Sequence, residues 1–201
     1  MKLLSQNVVY KGINMFTNLR NATKEEVDAI IKGYSESSGQ LVEHLVDHLK
    51  LLKGEKGGFT IDRYDHCLQS ATLAYNDGKD EEYVVCALLH DVGDILAPFN
   101  HGEAIATILK PFISEANYWM LKHHTTFQGY YFWDKLGYDK NTRDKYVNEP
   151  YYDYTIEFCD KYDSAAFDPI YENKPIEFFK PMIQRVVSNL NHKGFMLADN
   201  D

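Results

Sequence analysis

LLHDVGDILAP, residues 88 to 98, ends an apolar run on an adjacent histidine and aspartate, His90 and Asp91. The run belongs to DEEYVVCALLHDVG (80–93), which reads as a helix. Asp80 stands as its N-cap, acids fill the first turn, and Gly93 closes it. A helix whose middle is YVVCALL (83–89) is a core helix. A carboxylate at its end needs a compensating charge, because burying one alone is expensive. A metal ion would supply that charge.

Helix signals run through the rest of the chain. TKEE (23–26) is a capping box that opens a helix to about Tyr34, where SESSG should break it. QLVEHLVDHLKLL (40–52) repeats Leu41, Leu45, Leu49 and Leu52 at helical spacing, GEKGGF (54–59) is a loop, and 61–78 is a helix stopped by Asn76-Asp77-Gly78. Further helices are predicted from His101 to Lys110, Ser114 to His124, Phe127 to Leu136, Tyr151 to Asp163 and Ile176 to Leu190. With weak strand signals, the expectation is an all-α bundle of about nine or ten helices. At 201 residues one domain is expected over 1–201, its metal-binding core at about 60–165.

Bulk composition excludes several roles. A net charge of −9 argues against nucleic acid as the main partner, since phosphate binding needs a basic surface. The apolar runs are too short to span a bilayer, and MKLLSQNVVYKG lacks the apolar core of a signal peptide. Cys67, Cys86 and Cys159 are odd in number and form no C-x-x-C pair, which suits a reducing compartment and offers no thiolate zinc site. A cytoplasmic protein is expected. Oligomeric state is not legible.

Imidazoles and carboxylates recur along the helices. His66 precedes the His90-Asp91 pair, His101 follows it in PFNHGEA, His123 and His124 end EANYWMLKHH, and Asp163 ends IEFCDKYD. Neighbours on a helix point about 100° apart. An adjacent His-Asp pair therefore suits two ions better than one, the imidazole on one and the carboxylate bridging both. Such a set, poor in thiolates, suits iron, manganese or zinc. His44 and His48 read instead as the polar flank of an amphipathic helix, and His192 as a surface residue or a dipole partner at a helix end.

The ordered pattern His66, His90-Asp91, His101, His124 and Asp163 resembles the HD-domain metalloprotein superfamily, in its dinuclear branch. The resemblance implies one metal on His66, His90, Asp91 and Asp163, and a second on His101 and His124 with Asp91 bridging. His123 rivals His124, and Asp160 rivals Asp163; the match to the family's pattern selects the second of each pair. Within the branch, YDHCLQSA (64–71), ALLHDVGD (87–94) and NHGEAIATIL (100–109) are most similar to the mixed-valent di-iron oxygenases of the inositol and organophosphonate type. There, dioxygen activated at two iron ions removes hydrogen from the carbon bearing a substrate hydroxyl. That resemblance implies a non-haem di-iron oxygenase acting on a small hydroxylated substrate, with two irons (Fe(II)/Fe(III)), or manganese or zinc in their place. A dinuclear phosphohydrolase is the alternative, and a metal-stabilised binding module without turnover a third. No GYP segment of the HD-GYP phosphodiesterases follows the pair.

The departures concern the substrate. The phosphonate-cleaving members carry a histidine at Asp94, a lysine at Gln128 and an arginine at Asp160. Replacing that trio, with two acids among the replacements, removes or reverses the attraction for a phosphonate. A quaternary-ammonium alcohol is then a candidate beside a hydroxylated phosphonate. Asp91, Asp94 and Gln128 are the catalytic candidates. The candidates for substrate contact are Arg63, Gln69, Asp94, Asn100, Gln128, Asp160 and Lys161, with Lys122 another substitute cation. FQGYYFWDKLGY (127–138) reads as helix core with lid packing, or as a pocket wall in which Tyr130, Tyr131 or Trp133 meets an ammonium.

Overall fold

In the computed structural model, which describes residues 16–189, the chain divides into two compact units at Gln40 and Leu41. The N-terminal unit contains helix α1 (Lys24–Ser38). Its capping box is reciprocal: Thr23 Oγ1 accepts from the Glu26 N–H at 3.2 Å and Glu26 Oε2 accepts from the Thr23 N–H at 2.8 Å. The other Glu26 oxygen takes the Phe16 N–H, which accounts for a buried glutamate. The helix runs past Tyr34 to Ser38, because glutamate is a good helix former and serine only a mediocre one; the turn comes at Gly39.

Among the described residues, the larger unit contains seven α-helices: α2 (Leu41–Lys50), α3 (Arg63–Asn76), α4 (Glu81–Leu89), α5 (His101–Leu109), α6 (Glu115–Gln128), α7 (Tyr152–Phe158) and α8 (Ile176–Val187). No strand occurs among the described residues, so the fold is all-α. None of the described helices is long and apolar enough to cross a membrane. The MKLLSQNVVYKG segment, His192 and the Leu190 helix end lie outside the described residues.

Helix α4 is the axis of the core. Tyr83 to Leu89 are all buried, as a helix apolar on every side requires. Asp80 caps it by accepting from the Tyr83 N–H, and Asp62 caps α3 through the Asp65 N–H. The two helices pack along each other, with α6 and α8 also against α4. The α2 stripe buries Leu45 and Leu49, with Leu52 just beyond the helix, while Leu41 is half-buried. His44 on that helix is exposed and His48 half-buried.

Besides the longer α1, and α4 ending at Leu89 instead of Gly93, three elements differ from the sequence reading. Helix α6 continues through His124 to Gln128, and the expected helix from Phe127 to Leu136 becomes two 3-10 turns, Gly129–Tyr131 and Trp133–Leu136. Trp133 folds back onto Gly129, where no β-carbon would fit, and Gly137 ends the second turn at a φ of 79°. An unforeseen 3-10 segment spans Lys140–Tyr146. The helix expected from Tyr151 to Asp163 changes at Phe158 into a π-helical turn, Cys159–Asp163, closed by the Ser164 N–H on the Cys159 carbonyl at 2.9 Å. Such turns insert one residue and shift the face that follows.

Helices α5 and α6 approach closely because Gly102 has no side chain. A β-carbon there would lie 2.8 Å from the Leu121 carbonyl oxygen and 3.2 Å from the His124 ring. Gly102→Ala should therefore destabilise the protein by about 1–3 kcal/mol, the usual cost of overpacking, and displace His124. Chemical denaturation checks the first effect. A variant as stable as the parent would show that α5 can move away freely.

Candidate metal centre

Six elements converge on one point. His66 comes from α3, His90 follows the end of α4, Asp91 precedes the 3-10 turn Val92–Ile95, and His101 opens α5. His124 comes from α6 and Asp163 from the π turn. His66, His90, His124 and Asp163 are at most 2% exposed, and Asp91 is 8% exposed. Three of the four imidazoles have their proton fixed by a backbone carbonyl. His66 Nδ1 lies 3.0 Å from the Ala166 oxygen, His90 Nδ1 2.8 Å from Ala87, and His124 Nδ1 2.7 Å from Leu121. A carbonyl only accepts, so each Nδ1 carries hydrogen and each Nε2 turns its remaining valence inward.

What those Nε2 atoms meet is each other and two carboxylates. His66 Nε2 and His90 Nε2 are 3.1 Å apart. Asp163 Oδ1 lies 3.3 Å from the first and 3.7 Å from the second. Asp91 divides its oxygens: Oδ2 faces His66 and His90 at 3.7 and 3.5 Å, while Oδ1 faces His101 and His124 at 3.2 and 3.6 Å. Converging lone pairs and anions repel unless a cation stands among them. His124 Nε2 and Asp163 Oδ2 are buried without a hydrogen-bond partner, which is where a bound ion would satisfy them. Donor atoms of His66, His90 and Asp163 fall within 4.8 Å of one another, as do those of His90, Asp91 and His124. The nitrogen and oxygen donors fit a divalent transition metal.

The titration behaviour of the metal-free cluster says the same. Burial works to lower the His90 pKa, but the charges of Asp91 and Asp163 outweigh it and raise it to about 9. Burial likewise opposes ionisation of Asp91 and Asp163, and the surrounding imidazoles overcome it, holding both carboxyls below their ordinary range. At His124 burial wins, and the pKa falls. The site demands positive charge, which a proton on His90 supplies in part and a metal ion would supply more fully. Neither donor group includes a cysteine, and burial raises the pKa of Cys67, Cys86 and Cys159.

Of each rival pair, the cluster takes one member. His123 packs between Trp119 and Tyr146, with ring centroids 4.3 and 4.7 Å away, and burial with the nearby Lys122 and Lys145 lowers its pKa to about 4. Asp160 is exposed and accepts from the Tyr131 hydroxyl at 3.1 Å.

The other candidates are distributed unevenly. A cleft of about 50 Å³ reaches His66, Asp91 and His101, and Arg63 and Gln128 also line it. Gln128 donates to Asp163 Oδ1 at 2.7 Å. Asp94 is ion-paired with Arg63 and lies 3.3 Å from His101 Nδ1, a charge contact not aligned as a hydrogen bond. Gln69 is buried and spends both ends of its amide on the Asp168 backbone, so it pins the segment carrying Ala166. Asn100 holds the N-cap position of α5 without a side-chain bond. Lys161 is exposed, pairs with Glu157 at 3.1 Å and does not line the cleft.

Sequence reasoning overlooked the cleft's apolar wall. Phe167 stacks on His66 at 4.5 Å between centroids and on Phe59 at 4.9 Å, with Ile61 beside them. It also overlooked the carbonyls of Ala87, Leu121 and Ala166, which carry no side-chain signal. The aromatic stretch 127–138 contributes only Gln128 to this cleft; Tyr130 stacks instead on Arg143, 3.6 Å from its ring centre.

Helices that end on a buried His-Asp pair, with further imidazoles closing over it, define a class of all-α metal-binding protein. The chain belongs to the HD domain family, whose model matches residues 63–164, just over half of its length. It is also similar to a [1-hydroxy-2-(trimethylamino)ethyl]phosphonate dioxygenase (glycine-betaine-forming) from Leisingera caerulea, at 32% identity over 77 residues. That alignment takes in 33% of this chain and 39% of the relative, so the likeness spans about two fifths of the relative's length.

Proposed function

We propose that the protein is a non-haem di-iron oxygenase of the HD family that uses dioxygen to oxidise or cleave a small hydroxylated substrate. The observation that carries this reading is the division of Asp91, whose two oxygens face separate imidazole groups. His66, His90 and Asp163 would hold one ion, His101 and His124 the other, with Asp91 shared. The relative's name places a hydroxyl on the carbon bearing its phosphonate, and that hydroxylated carbon is the feature carried over.

Two bound irons would supply dioxygen activation. The chain's own residues set the conditions. The carbonyls of Ala87, Leu121 and Ala166 keep three imidazoles in the donor tautomer. Gln128 steadies Asp163 from the cleft side. Phe59, Phe167 and Ile61 give the cleft an apolar wall that limits water beside the donors. A dinuclear phosphohydrolase would use the same donors. Against it, the one lysine or arginine among the cleft-lining residues, Arg63, is already paired with Asp94, leaving little charge for phosphoryl oxygens.

Metal analysis after aerobic purification, followed by spin-resonance spectroscopy of the partly reduced protein, tests the reading. An antiferromagnetically coupled mixed-valent iron signal is expected. Tight zinc or manganese, with phosphatase activity indifferent to oxygen, would overturn it. So would unchanged metal content in both His101→Ala and His124→Ala.

A further inference from the structure

Two acids at 94 and 160, read from the sequence, suggested a substrate with a cationic end. The structure removes both from that duty. Asp94 is neutralised by Arg63, and Asp160 is exposed and bonded to Tyr131, away from the residues lining the cleft. Of the two acids lining the cleft, Asp91 faces the imidazoles of the cluster, and Asp62 is engaged too: one oxygen caps α3 through Asp65 and the other accepts from the Gly54 N–H at 2.9 Å. None of these carboxylates is left to receive an ammonium group.

Arg63 is the only lysine or arginine among the residues lining the cleft, beside His66, Asp91 and His101. It meets Asp94 through Nη1 alone. A guanidinium has five N–H donors in a planar fork, so one such contact fixes its orientation and leaves donors for a second planar anion. The side chain is 26% exposed, enough for a ligand to reach it. The cleft's volume of about 50 Å³ is room for roughly three to five water-sized groups. It favours a substrate of a few heavy atoms.

We infer that the substrate is a small hydroxy-carboxylate whose carboxylate docks on Arg63 while its hydroxyl faces the metal donors. This rests on the dinuclear reading above and narrows its substrate class. A single guanidinium, already shared with Asp94, matches a planar monoanion. Asp94 already balances the Arg63 charge, so what Arg63 offers is its remaining N–H donors: a carboxylate meets them in plane, a phosphonate dianion brings twice the unbalanced negative charge, and a trimethylammonium group has no acceptor for them.

Calorimetric titration of the full-length, metal-loaded protein with glycolate, hydroxymethylphosphonate and choline provides the test. Glycolate should bind tightest, and Arg63→Gln should weaken it about tenfold or more, as expected for loss of a charged hydrogen-bonding partner. Arg63→Lys should recover part of the affinity. The double variant Arg63→Gln/Asp94→Asn, which leaves no unpaired acid, should show the same loss at unchanged metal content. Glycolate binding indifferent to Arg63→Gln, or choline or the phosphonate binding tightest, overturns the inference. Calorimetry works with whichever divalent ion the protein retains. A centre holding zinc would therefore defeat the oxygenase reading and leave this measurement decisive.

Discussion

Asp91→Ala should abolish tight metal binding at both positions, whereas Asp160→Ala should leave metal content unchanged. The asymmetry follows from geometry. Among the described residues, Asp91 is the acid within 3.7 Å of His66, His90, His101 and His124 together. Removing it leaves the imidazoles without the anion that offsets two cations, and only Asp163 to serve one side of the cluster. Removing a group that merely supports a ligand typically costs 10–100-fold in metal affinity, and a shared ligand should cost more than that. Metal content after dialysis against a weak chelator is the measurement. An Asp91→Ala protein that keeps both ions would show that the aspartate is a structural anion and not a bridge.

The metal-stripped protein should lose stability as pH rises from about 6.5 to 9, and the metal-loaded protein should not. His90 has a folded-state pKa of about 9 against an ordinary 6.5. A raised value contributes stability that is fully present below the unfolded pKa and is lost as pH climbs through the folded one. The physical origin is a proton on His90 Nε2, shared with His66 Nε2 and facing two carboxylates. A metal takes that proton's place, so its binding should also strengthen as pH rises. Asp91 and Asp163, held low, act in the opposite sense: their contribution is present above the ordinary carboxylate pKa and disappears on acidification. Thermal melts of the stripped and loaded forms across this range are the check. Equal stability of the stripped form at pH 6.5 and 9 would show that His90 is not the proton carrier.

Much of this centre was readable in residue order. His90-Asp91 after seven apolar residues required a buried counter-charge, and the spacing of His66, His101 and Asp163 marked the elements that would bring the rest. The choice of His124 over His123 was also available locally. Met120, Leu121, His124 and Phe127 share the buried face of α6, three or four residues apart, and His123 lies off it. Asp163 had no such signal. In a continuing α-helix the turn before it would be set by α7, but the π turn Cys159–Asp163 adds a residue and changes which side chains face the cluster. The extra residue depends on packing, not on local propensity.

The role of Asp94 shows where one-dimensional reading stops. From the sequence it was an acid beside a proposed substrate. Its charge is set by Arg63, 31 residues earlier, on another helix. What the sequence determined by itself is the all-α architecture, the core helix that ends at His90-Asp91, and the residue types that gather there, because periodicity, caps and donor chemistry are local properties. Only the tertiary structure decided how Asp91 divides its oxygens, which backbone carbonyls fix the imidazole protons, and which charges are already spent. Those depend on contacts between helices, and a charge has meaning only with its partners.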